Sequence, residues 1–367
     1  MPDYVQDRAR PEIFKIKDYV PGKPIDEVKR ELGVTDIIKL ASNENALGPS
    51  PLAQQAMREA LDTVHLYPDS NCYHLKQKLA RIYDFDPRGI VIGNGSDELL
   101  KMLADAFLMP GDEVVLAQPT FSEYEITATV LGAECIKVPF KNQRHDLEGM
   151  VRAVNNRTKI IYVCNPNNPT GTALTGQQLE QFLSGMSAQT LVVFDEAYFE
   201  YVDDPAVTSG LNFLGKTPIV VLHTFSKIYG LAGMRVGYAL TTPDIARAME
   251  KVKDPFNVNL LAQKAAEAAL DDSGHLERTL EMNRVGKQFL YDSFDRLGLN
   301  YVDSQANFIL VDLKRDCREV FERLLKRGVI IRPADVFDCP TFIRVTIGTR
   351  EENQRFIEEL STVLGEG

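Results

Sequence analysis

Paired cysteines, clustered histidines and long apolar runs are all missing from this sequence of 367 residues. Its five cysteines are scattered without a Cys-x-x-Cys pair, a pattern that is typical of reduced thiols and predicts a cytoplasmic protein. Its five histidines show no metal-ligand spacing, so we predict no metal site. No apolar run approaches the roughly 20 residues needed to cross a bilayer, and residues 1–10 contain no apolar signal segment.

The sequence also has fewer basic than acidic residues, 41 against 52. The formal net charge is -11, whereas a nucleic-acid-binding protein presents a basic stripe for phosphate contacts. We therefore expect neither a nucleic acid nor a membrane as a partner. Hydrophobic residues make up 44% of the chain, which is enough to build a sizeable core.

What the sequence does contain is an alternation of short apolar runs and helical stretches, preceded by a segment rich in proline and charge. Such alternation predicts an α/β fold with a mostly parallel sheet. Further along, Ala-rich helical stretches lead into mixed strands and helices, which indicates a smaller α+β unit. We predict an N-terminal arm (1–37), a large domain (38–258) and a small C-terminal domain (259–367).

Five of the apolar runs end in unusual polar sequence. In parallel α/β sheets, ligands bind just beyond the carboxyl ends of the strands, so these five ends are expected to converge on one site. The runs are 90–92, 113–117, 160–164, 191–194 and 219–223.

The segment Gly95-Ser96-Asp97 is a glycine turn at a predicted helix start. Free backbone N–H groups at the positive end of a helix dipole form a phosphate site, although a plain helix cap has the same sequence. The spacing does not match the G-x-G-x-x-G dinucleotide motif. A turn-like segment allows Arg235 to fold back toward Ser226, and the two could clamp a phosphate.

Asp195 and Lys227 each follow an apolar run. A carboxylate at such a position needs a partner, and a protonated pyridine nitrogen would serve, with Tyr198 within reach of a neighbouring ring hydroxyl. A lysine that loses its proton readily can attack a carbonyl and form an imine. Considered alone, Asp195 could be a helix cap and Lys227 a surface lysine. The polar sequence at the other strand ends favours a site for a pyridine cofactor instead.

With these residues in view, the sequence resembles the fold-type I pyridoxal-phosphate (PLP) enzymes of the aspartate aminotransferase superfamily. Within that superfamily it is most similar to the family of histidinol-phosphate aminotransferases. The resemblance covers nearly the whole chain and implies a seven-stranded, mostly parallel sheet between helices in the large domain. It is carried by segments 43–45, 67–68, 93–98, 165–171, 195–198, 224–227 and 344–348.

The resemblance implies a role for each residue around the cofactor ring. Lys227 would hold PLP as a Schiff base and then move a proton between the substrate Cα and the cofactor C4′. Asp195 would pair with the ring nitrogen, while Tyr198 and Asn168 would bond the ring hydroxyl. Phe121, where the family often has tyrosine, would stack on the ring face.

The resemblance also implies how the anionic groups are held. The cofactor phosphate would be bound by Ser96, Asp97, Thr224, Ser226 and Arg235. Tyr67 would reach that phosphate from a second subunit, which implies a homodimer with shared active sites. Arg344, helped by Arg332 and Tyr19, would grip the anionic group of the substrate. Ala46 stands where the family usually has proline after Asn43-Glu44-Asn45, and we assign no role to that segment.

The implied reaction is a reversible transamination between histidinol phosphate and 2-oxoglutarate, giving imidazole-acetol phosphate and glutamate, a step of histidine biosynthesis. Aromatic amino acid aminotransferases share every cofactor motif, and a related threonine-phosphate decarboxylase shares the scaffold and an anion pocket, so both remain alternatives. A PLP-binding sensor fused to a DNA-binding module is disfavoured, because the arm of about 37 residues is too short for such a domain.

Overall fold

The computed structural model describes residues 4–16, 22–215 and 217–365. The strands are β1 (Ile38–Lys39), β2 (Ile90–Gly93), β3 (Glu113–Gln118), β4 (Glu134–Pro139), β5 (Thr158–Cys164), β6 (Leu191–Asp195), β7 (Ile219–Thr224), β8 (Gly237–Thr241), β9 (Asn300–Val302), β10 (Phe308–Asp312), β11 (Val329–Ile330), β12 (Arg332–Pro333) and β13 (Phe342–Thr346). The helices are α1 (Tyr4–Arg8), α2 (Ile25–Leu32), α3 (Pro51–Ala60), α4 (Tyr73–Tyr83), α5 (Gly95–Phe107), α6 (Glu123–Val130), α7 (Leu147–Ala153), α8 (Gly176–Ser184), α9 (Pro243–Glu250), α10 (Leu260–Ala269), α11 (Ser273–Arg296), α12 (Cys317–Lys326) and α13 (Arg350–Gly365). None of the helices within the described ranges is long and apolar enough to cross a membrane.

A seven-stranded sheet with the order β2-β8-β7-β6-β5-β3-β4 forms the centre of the large domain. Strand β8 runs antiparallel to both of its neighbours, and the other pairs are parallel. The predicted mostly parallel, seven-stranded sheet is therefore confirmed. Because the parallel strands β3, β5, β6 and β7 run in one direction, their carboxyl ends meet at one edge.

The central strands β5, β6 and β7 each contain a continuous apolar run, because helices cover both faces of the sheet. In β6, Val192 and Phe194 pack into the core on one face, whereas Leu191 and Val193 pack into the core on the other. Successive side chains of a strand point to opposite faces, so each residue of such a run has an apolar partner. Asp195, the last residue of β6, is the first polar residue after this run.

A second, antiparallel sheet with the order β12-β13-β10-β9 forms the small domain. It shares one core with apolar residues of α11, α12 and α13. The N-terminal segment joins the same core through Val28 of α2, and β1 adds to it by pairing with β11. These contacts join the segment from α2 to β1 to the small domain, and the treatment of residues 1–37 as a separate arm stays a prediction.

The division at residues 258/259 between the large and the small domain stays a prediction. Helix α10 lies beyond that division, yet its residues Ala262, Ala265, Ala266 and Ala269 are buried in a core of the large sheet. The small side chains allow α10 to pack closely against α3. We propose placing the boundary after Ala269, so that α10 belongs to the large domain.

Candidate active site

A cavity of about 240 Å³ lies at the carboxyl edge of the large sheet, where it faces the small domain. It is lined by residues from the loops that follow the strands and by two arginines of the small sheet. The predicted site residues that it brings together are Ser96, Asp97, Phe121, Asn168, Asp195, Tyr198, Thr224, Ser226, Lys227, Arg235, Arg332 and Arg344.

Lys227 enters the cavity from the turn that follows β7. Its Nζ donates a hydrogen bond to the Ser42 carbonyl at 3.3 Å and lies 5.5 Å from the ring centroid of Tyr198. Burial, together with the nearby charge of Arg344, lowers the pKa of the lysine from 10.5 to about 8. The amine therefore loses its proton close to neutral pH, as a nucleophile for a carbonyl must.

Asp195 is only 3% exposed at the end of β6. The Tyr124 hydroxyl donates to its Oδ2 at 2.6 Å, and the Ala197 N–H donates to its Oδ1 at 3.1 Å. Burial raises the pKa of the carboxyl group, and the bond from Tyr124 opposes that shift. A buried carboxylate that is bonded by neutral donors suits a cationic partner such as a protonated pyridine nitrogen.

Tyr198 and Asn168 line the cavity beside the lysine. Asn43 donates a hydrogen bond to the Tyr198 hydroxyl at 3.0 Å, and burial raises the pKa of that hydroxyl. The Asn168 amide oxygen accepts a bond from Arg344 Nη1 at 2.6 Å. Both side chains are thus held in place and can offer a proton donor to a hydroxyl or oxyanion on a ring.

A corner of the cavity is built around Arg235. Its Nη1 donates to Ser226 Oγ at 3.3 Å and its Nη2 donates to Asp97 Oδ2 at 2.9 Å. Gly95 opens α5 with a φ of +81°, and a Cβ built there would lie 2.6 Å from Arg235 Nη2. The Thr224 hydroxyl accepts a bond from the Ser226 N–H at 3.1 Å.

This corner has the features of a phosphate site. Asn94, the residue before α5, gives no side-chain cap to the helix, and Ser96 and Asp97 of the first turn line the cavity. A guanidinium, a hydroxyl and a helix N-terminus together supply the donors that a phosphate dianion requires. The predicted convergence of Ser96, Ser226 and Arg235 follows from this geometry, and their roles stay predictions.

Arg344 and Arg332 form the side of the cavity that belongs to the small domain. They face each other across β12 and β13, and Arg344 is only 6% exposed. Arg344 Nη2 donates to the Ala41 carbonyl at 2.6 Å, and its Cζ lies 5.3 Å from the ring centroid of Phe308. Two guanidinium groups on one wall can bind a phosphate or a carboxylate.

Two predicted residues, Tyr67 and Tyr19, are not among the described residues that line this cavity. Tyr67 is 82% exposed and stacks on Phe256 with the ring centroids 4.6 Å apart. Its ring is therefore presented to the surroundings of the chain, as a residue that serves another subunit would be. Tyr19 lies outside the described residues.

Two neighbours of the predicted residues, Asn43 and Tyr124, were not predicted from the sequence. Asn43 belongs to a segment to which we assigned no role, yet its φ of +55° and its bond to Tyr198 bring it to the cavity. Tyr124 lies in α6 and was not singled out, although it bonds Asp195. Phe121 precedes α6, so the spacing of three residues does not place Phe121 and Tyr124 on one helix face, and no local pattern of the sequence indicates Tyr124.

These features define an α/β protein whose cavity holds a lysine of lowered pKa, a corner built around Arg235 and a wall formed by Arg332 and Arg344. We call the corner and the wall the phosphate corner and the anion wall after the roles predicted for them. The chain belongs to the aminotransferase class I and II family, whose profile matches residues 35–360. The predicted fold-type I architecture and the resemblance to aminotransferases are thereby confirmed.

Among individual relatives, histidinol-phosphate aminotransferase of Moorella thermoacetica is 54% identical over 97% of this chain and 93% of its own. The enzyme of the same name from Caldicellulosiruptor saccharolyticus is 47% identical over 96% of this chain and 99% of its own.

Solved structures give the same relationship. Histidinol-phosphate aminotransferase from Sinorhizobium meliloti in complex with pyridoxal-5'-phosphate superimposes with a TM-score of 0.91 at 29% identity, covering 98% of both chains. L-threonine-O-3-phosphate decarboxylase from Porphyromonas gingivalis superimposes with a TM-score of 0.80 at 25% identity, covering 90% of this chain and 100% of its own. The scaffold is therefore shared by a decarboxylase, as the sequence argument anticipated.

Proposed function

We propose that this chain is a PLP-dependent aminotransferase that transfers an amino group between histidinol phosphate and 2-oxoglutarate in histidine biosynthesis. The observation that carries the chemistry is the presence of Lys227, Asp195 and Arg344 in one cavity, with the lysine pKa lowered to about 8. The observation that carries the substrate is the 54% identity to a histidinol-phosphate aminotransferase over nearly the whole chain.

The residues of the cavity fit PLP group by group. When bound, PLP supplies a cationic ring that accepts electrons from the substrate Cα. Asp195 would hold the ring nitrogen in its protonated form, and Phe121 would cover one face of the ring. Arg235 and Ser226 would anchor the phosphate, while Tyr198 and Asn168 would donate toward the ring hydroxyl. These groups would leave the Lys227 amine free to take a proton from the substrate Cα and to deliver it to the cofactor C4′.

Arg344 and Arg332 select the substrate by charge. A transamination of this kind presents the same wall first with a phosphate monoester and then with a carboxylate. A guanidinium binds either group through two parallel N–H bonds, which a lysine could not do. The bond from Arg344 to Asn168 orients the planar group toward the cavity.

A substrate panel tests this proposal. We expect kcat/KM for histidinol phosphate to exceed that for phenylalanine by about 100-fold, since a phosphate site rejects a substrate that leaves its donors unpaired. Threonine phosphate is expected to release no carbon dioxide. Phenylalanine turning over faster than histidinol phosphate would make the chain an aromatic aminotransferase. Carbon dioxide release from threonine phosphate would make it a decarboxylase.

We also infer a homodimer with shared active sites. This inference is supported by Tyr67 and by its exposed apolar neighbours Leu61, Val64 and Leu66. Mixing inactive Lys227→Ala subunits with Tyr67→Ala subunits at limiting PLP tests it. If Tyr67 serves the partner's site, half of the sites in a mixed dimer carry neither change, and activity returns. No recovery in dimers shown to be mixed would mean that Tyr67 serves no site across the interface.

A cytoplasmic location stays part of the proposal. It is supported by the five cysteines, all of which are free thiols, as expected in a reducing compartment. Fractionation of the native cells, with the chain detected by an antibody, tests it. Recovery from an extracytoplasmic fraction would contradict it.

A further inference from the structure

Tyr124 is a buried residue whose hydroxyl contacts the candidate site at Asp195. It lies near the start of α6 and is 0% exposed. Its hydroxyl donates to Asp195 Oδ2 at 2.6 Å, a short bond between residues that are 71 positions apart. Its ring stacks on Tyr162 at 4.7 Å with an interplanar angle of 5° and meets the edge of Phe121 at 5.6 Å.

The chemistry of this contact has a fixed direction. Burial raises the pKa of Tyr124 well above 10, and the charge of Asp195 raises it further. The hydroxyl therefore keeps its proton at every pH at which an enzyme works, and it can only donate toward the carboxylate. For Asp195, the same bond lowers the pKa that burial raises. Tyr124 thus favours the ionised carboxylate in a place where desolvation favours the neutral acid.

We propose that Tyr124 is a positioning residue, which holds Asp195 ionised and correctly oriented for the ring nitrogen of the cofactor. This inference rests on the proposed PLP chemistry. The segment from Phe121 to Tyr124 would then act on the cofactor ring at two places. Phe121 would stack on the ring face, and Tyr124 would orient Asp195 toward the ring nitrogen. Tyr124 itself touches neither substrate nor cofactor and acts only through Asp195.

The chain offers a matched control in Tyr162. Both tyrosines are buried, they stack on each other, and the change to phenylalanine removes one oxygen from either. Among the described residues, the donors to the Asp195 carboxylate are the Tyr124 hydroxyl and the Ala197 N–H. Tyr162→Phe therefore alters the same aromatic pair without touching the carboxylate. A circular dichroism spectrum checks that both variants fold, and Tyr124→His, which keeps an N–H donor, is a second variant for the same test.

The first readout is the pH at which the visible absorption of the bound cofactor changes, which requires no substrate. Without the Tyr124 hydroxyl, Asp195 stabilises the protonated ring nitrogen less well, and the ring carries less positive charge. A less positive ring repels a proton on the Schiff-base nitrogen less strongly, so the pKa of that nitrogen should rise. We expect the absorption midpoint of Tyr124→Phe to rise by about half a pH unit or more, whereas that of Tyr162→Phe stays at the wild-type value. Tyr124→His should lie between the two.

The second readout is kinetic. With histidinol phosphate, Tyr124→Phe should lower kcat by about 10-fold and leave KM within about twofold, because the lost bond acts on the ring and not on the substrate. In an Asp195→Asn background the same change should have no further effect, since the carboxylate through which Tyr124 acts is gone.

Three results would overturn the proposal: an unchanged absorption midpoint in Tyr124→Phe, an equal shift in Tyr162→Phe, or a full 10-fold effect in the Asp195→Asn background. Failure of the underlying function looks different. A wild-type protein that takes up no PLP, and so has no visible absorption to titrate, would reject the PLP chemistry itself before any variant is compared.

Discussion

Arg344 Nη1 donates a hydrogen bond to the Asn168 amide oxygen at 2.6 Å, and this bond joins the small sheet to the loop that follows β5. Arg344, which is proposed to bind the substrate anion, is therefore held in place by Asn168, which is proposed to bind the cofactor. Because the bond crosses between the two domains, the anion wall and the cofactor pocket keep a defined separation.

Replacing Arg344 with lysine tests the anion wall. Lysine keeps the charge but carries its donors on a single nitrogen, so it cannot reproduce the separate bonds of Nη1 to Asn168 and of Nη2 to the Ala41 carbonyl while it binds a substrate anion. We expect kcat/KM for histidinol phosphate to fall by about 100-fold, mainly through KM. Steady-state kinetics measure this, and Arg284→Lys, on an exposed arginine paired with Glu281, is the control. Equal kinetics in the two variants would remove Arg344 from substrate binding.

The pKa of Lys227 predicts how the protein without cofactor takes up PLP. Since the amine must be neutral to attack, the rate of uptake should rise with pH with a midpoint of about 8, and not near 10.5. In Arg344→Gln the loss of a nearby positive charge should move the midpoint upward. Stopped-flow absorbance measures both profiles. A midpoint that ignores the change at position 344 would argue against their electrostatic coupling.

The same lowered pKa predicts a stability effect. Between pH 8 and 10.5, Lys227 is protonated in the unfolded chain and neutral in the folded chain. The buried charge therefore destabilises the folded state most below pH 8, and this destabilisation fades as the pH rises to 10.5. Lys227→Met should therefore stabilise the protein without cofactor at pH 7 by about 1–3 kcal/mol. Urea unfolding measures this, with exposed Lys101→Met as the control. A destabilised Lys227→Met protein would contradict the expectation.

Gly95 and Gly111 form a matched pair for testing the phosphate corner. Both have positive φ, +81° and +86°, but a Cβ at Gly95 would meet Arg235, whereas a Cβ at Gly111 would meet nothing within 4 Å. Alanine at either position should cost about 1 kcal/mol of stability through backbone strain. Only Gly95→Ala should also displace Arg235 and raise the Kd for PLP, by about 10-fold. Fluorescence titration with PLP distinguishes the two, and equal affinities would show that Arg235 is not needed at this corner.

The core of the fold could be predicted from the sequence because its strands are buried on both faces. A strand such as β7, which is buried along its whole length, leaves a continuous apolar run that few other structures produce. The domain boundary could not be predicted in the same way. The alanine face of α10 suits either core, and only the position of α3 decides which one it joins.

Some residues of the site could be predicted from the sequence and others could not. Asp195 and Lys227 were found because a charged residue at the end of an apolar run is conspicuous in sequence. Tyr124 was not, because a tyrosine in a helix looks like any core aromatic until its partner is known. That partner is brought to it by the pairing of strands, which no local pattern records.

The central claim, that Lys227 carries the cofactor, is tested most directly by mapping the covalent link. Purified protein is saturated with PLP and reduced with borohydride, and the digest is examined by mass spectrometry for a phosphopyridoxyl group. We expect one modified peptide, with the group on Lys227, and loss of that peptide in Lys227→Ala. Stoichiometric modification of a different lysine, with Lys227 left unmodified, would contradict it.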